Sequence, residues 1–120
     1  MNLDRVYVRT GLVWLVLGMV YGIYLGITDQ LNLANSHAHA GLLGFVTSCL
    51  FGLLHRNWPG MRLGKLAQPQ YWIYQAGVVL LVAGKMVVDM GGTPGLAAFG
   101  SLVVVLGTVL MIVMFFGERD

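Results

Sequence analysis

The sequence predicts an all-α protein, a single domain over residues 1–120 built as a bundle of four transmembrane helices with both termini cytoplasmic. Three observations predict it. First, 58% of the residues are hydrophobic and only 10% charged, against about 25% charged in a soluble domain, so too few charges remain to cover a water-facing surface. Second, four apolar stretches near the bilayer-crossing length of about 20 residues are separated by polar or Gly/Pro-rich breaks. Third, the basic residues fall on alternate breaks, as they do when loops take opposite sides of a membrane. A formal net charge of +2 is too small to imply a nucleic-acid partner. Cys49 is the only cysteine, so no internal disulfide is available.

The first helix is expected over residues 7–28, after Arg5 and Arg9. Its uncharged run of 17 residues, 11–27, exceeds the 7–15 of a signal-peptide core, which favours a retained span. Gly18, Gly22 and Gly26 repeat every four residues, a pattern that lets another helix pack closely or leaves room for a flat cofactor. Residues 28–35 form a short polar connection. The second helix is expected over 37–58, capped by Asn35 or Ser36, whose side chains can accept from first-turn amides. Such a helix is about 33 Å long, against a hydrocarbon layer of roughly 30 Å. Trp58, Pro59 and Gly60 stop it. The third helix is expected over 70–90, with Tyr71, Trp72 and Tyr74 as an interfacial entry belt. Residues 91–95, GGTPG, turn the chain into the fourth helix over 96–116, which ends ahead of Glu118, Arg119 and Asp120.

Arg5 and Arg9 precede the first helix, and Arg56, Arg62 and Lys65 mark the middle loop. The other two loops offer only Asp29. The positive-inside rule therefore places the termini and middle loop in the cytoplasm of a multi-pass inner-membrane protein. His37 and His39 then lie at the outer end of the second helix and His55 at its inner end.

Ionisable groups in a spanning helix point to function by default. His37 and His39 are two residues apart and look out from nearly opposite helix faces, so they serve two sites more readily than one metal. Without a ligand, they would hydrogen-bond between helices or reach for the interface. His55 adjoins Arg56 and Trp58 and is expected at the interface with no ligand role. Lys85 and Asp89 are four apart near the outer end of the third helix. They either pair with each other, or Lys85 meets an anionic group at the level of His37 and His39. Cys49 and the seven methionines read as core or lipid-facing residues.

The second helix carries His37-Ala38-His39, then Gly41-Leu42-Leu43-Gly44-Phe45, and closes in Gly52-Leu53-Leu54-His55-Arg56. This segment resembles small membrane proteins related to the catalytic subunit of the haem–copper oxidases. That subunit has twelve helices in a pseudo-threefold array, with haem ligands on every fourth helix and one His-x-His pair serving two haems. The resemblance implies haem b bound by His37 and His39, with Lys85 facing a haem propionate, in a homotrimer that imitates the larger subunit. The third helix lacks the histidines that hold the oxidase copper, so a complete oxidase is not implied.

The expected function is electron transfer, or redox or gas sensing, with haem at subunit interfaces. His37 of one subunit would face His39 of its neighbour around a closed ring. The alternatives are a copper, metal or haem carrier or assembly factor, and a non-catalytic structural membrane subunit.

Overall fold

The computed structural model describes residues 2–117, and among these the regular structure is helical, with no strand. Helix α1 spans Leu3–Thr28, α2 Ala34–Asn57, α3 Ala67–Asp89 and α4 Gly95–Phe116. All four are long and apolar enough to cross a membrane. Single 3₁₀ turns, Leu31–Leu33 and Pro59–Leu63, shape the first two connections. Residues 118–120 lie outside the described residues.

Three helices begin earlier than their apolar runs suggest. Helix α1 takes in Asp4 and Arg5 because Asp4 is buried and neutralised, 2.8 Å from Arg62 and 3.4 Å from Arg56. Helix α2 starts ahead of Asn35 and Ser36, and neither acts as its cap. Ser36 Oγ instead donates to the Leu33 carbonyl at 2.8 Å and meets Tyr21 Oη at 3.0 Å. Helix α3 starts at Ala67, with Pro69 in its first turn, where a missing amide hydrogen is harmless.

The helices pack as two pairs, α1 on α2 and α3 on α4, with α3 bridging them. Glycine decides both pairings. In α3 and α4, Gly77, Gly84, Gly100 and Gly107 each face backbone atoms of the opposite helix, and a methyl group at Gly100 would lie 2.5 Å from the Leu81 nitrogen. In the other pair, Gly44 accepts the Trp14 ring and Gly52 lies against Val8 and the Asp4 carbonyl. The glycine stripe on α1 does something different. Gly18 and Gly26 meet nothing within 4 Å, and Gly22 faces a side chain, not a helix. Residues four apart drift about 40° around an α-helix per step, and by Gly26, which is exposed, the stripe has left the face that α1 presents to α2.

Helix α3 ties the pairs together with buried hydrogen bonds. Gln70 accepts from Tyr7 of α1 and donates to the Gly107 carbonyl of α4 at 2.9 Å. Tyr71 Oη lies 2.6 Å from Thr10 Oγ1. Gln75 accepts from Trp14 Nε1 at 3.1 Å and donates to Ser48 Oγ at 2.9 Å. Each such bond contributes only about 0.6 kcal/mol in a membrane protein, so their main effect is to fix register. The expected aromatic belt is accordingly divided: Trp72 is 62% exposed, while Tyr71 and Tyr74 are buried. These two are three apart on one helix face and find hydroxyl partners inside the molecule.

Helix α2 is α-helical at both ends and a π-helix over Ala40–Val46. Thr47 bonds the Leu42 carbonyl with its amide and with its hydroxyl, the latter at 2.9 Å. The Tyr74 hydroxyl donates to the Leu43 carbonyl at 2.8 Å. The wider turns, closed by i→i+5 bonds, offset the α-helical drift. Ser36, Ala40, Gly44, Ser48 and Gly52, spaced every four residues, therefore all stay on the buried face.

Candidate functional site

The π segment begins immediately after His39, and such segments are rare and concentrate at functional sites. The two histidines above it have different surroundings. His37 is half-buried in the cleft between α2 and α1, its ring 6.1 Å from that of Tyr21. Its Nε2 is aimed end-on at Gly22: a methyl group there would lie 2.9 Å from Nε2 and 3.5 and 3.7 Å from the two flanking carbons. A side chain at position 22 would therefore occupy the space this ring uses.

His39 lies on the other side of the helix, also half-buried. Its Nδ1 is 2.9 Å from the Asn35 carbonyl oxygen. A carbonyl only accepts, so Nδ1 is the donor here, and in the neutral ring the lone pair is on Nε2. Ligating histidines are commonly fixed in this way by a carbonyl on the other ring nitrogen. The structure thus keeps the two imidazoles on separate faces, as their spacing predicts, and holds only His39 in a ligand-ready tautomer.

Lys85 is half-buried on α3. Of the two alternatives for Lys85, the pair with Asp89 is not formed, and Lys85 makes no ion pair among the described residues. Asp89 instead uses its backbone carbonyl to accept from Asn32 Nδ2 at 3.1 Å, while its Oδ2 is buried without a partner. This contact ties the end of α3 to the 3₁₀ turn that precedes α2.

One turn below His37, Trp14, Gly18 and Tyr21 of α1, Ala40 of α2 and Met86 of α3 line an apolar hollow of about 170 Å³. Pockets for drug-sized ligands run from about 300 Å³ upward, so this hollow cannot enclose a macrocycle within one protomer. Among the described residues, no three His, Cys, Asp or Glu side chains gather as a metal site. One protomer offers a single ready imidazole, a second that is turned inward, and a free ammonium.

His55, expected at the interface with no ligand role, is enclosed within the bundle. It is fully buried, its ring stacked on Tyr7 at 5.7 Å, and neither ring nitrogen has a hydrogen-bond partner among the described residues. The cause is its place on the buried α2 face that carries Ser48, Phe51 and Gly52. The residues that sequence reasoning passed over are Gln70 and Gln75. Two amides within an apolar span were the available signal, since such groups require partners there.

No protein-family model, curated protein or solved structure matches this chain. The resemblance to the oxidase subunit therefore rests on the residues of α2 alone.

Proposed function

We propose that the chain is a multi-pass inner-membrane protein with its termini and the Arg62–Lys65 loop in the cytoplasm, that it binds haem b between subunits through His39 and His37, and that it serves electron transfer or redox or gas sensing. The exposed apolar faces of α1 and α4 and the loop charges support the membrane assignment. The contact of His39 Nδ1 with the Asn35 carbonyl oxygen is the observation that carries the ligand assignment. The small volume beside Gly18 favours a site completed by a second subunit.

The residues fit haem unequally. His39 fits as it stands. His37 fits once its ring turns away from Gly22 toward a neighbouring subunit. Lys85 supplies a cation for a propionate, without an internal partner to displace among the described residues. When bound, haem supplies a one-electron iron couple. The chain's part is to orient two imidazoles, balance charge and exclude water.

A second reading, transient binding of copper or another metal by a carrier or assembly factor, is favoured by the fact that only His39 is ligand-ready. The visible spectrum of the purified protein separates the two. A sharp Soret band and a split alpha band on reduction, both lost in His39→Ala, support haem ligation. A colourless protein that retains copper through His39 favours the carrier. A colourless, metal-free protein leaves a structural membrane subunit as the reading.

A further inference from the structure

At the opposite end of the molecule, α1 and α2 border a groove of about 360 Å³. Arg5 and Arg9 line it from α1 and Arg56 from α2, with Val8, Gly52 and Leu53 as its apolar surface. The helices approach closely here because Gly52 has no side chain: a methyl group would lie 2.8 Å from Val8 Cγ2 and 2.9 Å from the Asp4 carbonyl. Arg5 and Arg9 are exposed, four residues apart, and without an ion pair among the described residues. Like charges at this spacing repel mildly on a helix, and Arg56 adds a third across the groove. The one carboxylate lining the groove, Asp4, is shared between Arg62 at 2.8 Å and Arg56 at 3.4 Å. Arg5 and Arg9 therefore have no counter-anion among the described residues, and Arg56 has only a shared one.

We propose that this groove binds an anionic phospholipid, its phosphate between Arg5, Arg9 and Arg56 and the start of an acyl chain along Val8 and Leu53. Charge selects the occupant. A second copy of the same surface would bring three more guanidiniums against these three. A free phosphate would satisfy the arginines but leave the apolar surface uncovered. An anionic lipid meets both requirements, and basic grooves between helices on the cytoplasmic side recognise such headgroups. The inference rests on the membrane part of the proposed function and is independent of haem.

The test uses the full chain reconstituted in vesicles of phosphatidylcholine with a minor share of phosphatidylglycerol, reading the lipid that co-purifies after mild detergent extraction. Retained phosphatidylglycerol should be enriched over its share in the vesicle. Arg9→Gln should lower this preference about fivefold, as expected for one basic residue at a membrane surface. Lys65→Gln, a charge change at the same end but outside the groove, should lower it clearly less than Arg9→Gln does, because Lys65 does not line the groove. Leu53→Trp, which fills the groove from an exposed position without changing charge, should also lower it. Equal losses in the Arg9 and Lys65 variants would reduce the effect to general surface charge and overturn the site. Displacement of the lipid by inorganic phosphate would assign the arginines to a free anion instead. Extraction of the protein from vesicles by alkaline carbonate would remove the membrane reading itself, and the site with it. Firm insertion without lipid preference would remove the site alone.

Discussion

At the scale of single residues, His55 shows that neighbouring sequence does not reveal lateral burial. Arg56 and Trp58 beside it suggest a headgroup-level position but not that its ring is enclosed under Tyr7, with both nitrogens unpartnered among the described residues. It therefore contributes packing volume and no hydrogen bond within the described residues. His55→Ala should lower unfolding stability in detergent by about 2–4 kcal/mol, the usual cost of emptying a large core position. His55→Phe keeps a ring in the site and gives up no polar partner, so it should cost less than about 1.5 kcal/mol. If the Phe variant is as unstable as the Ala variant, the nitrogens have a role beyond packing. The same comparison corrects the design of any haem test, because alanine at this position disturbs the fold even though the residue is not a ligand.

At the scale of helices, existence was legible and partnership was not. Length and apolar composition are properties of one segment, so all four helices could be placed to within four residues at their starts. Which face meets which neighbour depends on two segments at once. Gly18, Gly22 and Gly26 stand out by their four-residue repeat, but the glycines that bring α3 and α4 together are Gly77 with Gly84 and Gly100 with Gly107, each pair seven apart. Seven residues are close to two full turns, which keeps each pair on one face, so the signal was present at a different period. The π segment of α2 is the counterpart: it makes a four-residue repeat behave as a straight stripe, and nothing local in residues 40–46 announces it. Gly100→Leu should split the α3–α4 pair, because its new side chain would meet Leu81 backbone atoms that cannot move aside. Gly26→Leu, with nothing within 4 Å, should leave the fold intact. Thermal unfolding of the two variants in the same detergent checks this contrast. Equal losses would mean that glycine content, not helix contact, matters at these sites.

At the scale of the whole molecule, the membrane orientation and the assembly are tested separately. Single cysteines introduced into residues 28–35 and 91–95, in a Cys49→Ala background, should be labelled from outside intact cells, and cysteines at positions 62 and 65 should not. The reverse pattern would put His37 and His39 in the cytoplasm. The proposed assembly is the stronger test because it depends on the two separated imidazole faces. Imidazoles ligating one iron from opposite sides stand about 4 Å apart across two bonds of roughly 2 Å each, which the two faces of one helix cannot provide. In the proposed closed ring of three, His39 of one subunit would meet His37 of the next, and a bound cofactor would stabilise the ring by mass action. His37→Ala and His39→Ala should each remove haem and each weaken the trimer on size-exclusion chromatography. Mixing the two variants should restore some haem, because every mixed ring rebuilds one intact interface out of three, a recovery of roughly one third per ring. Gly22→Ala adds a sign that packing alone would not produce. Its methyl group would lie 2.9 Å from His37 Nε2, the movable end of a side chain, and should push the ring outward. Haem affinity should then rise in Gly22→Ala and stay absent in Gly22→Ala combined with His37→Ala. A fall in affinity on Gly22→Ala, or full haem occupancy in a monomer, would show that His37 does not reach across a subunit interface.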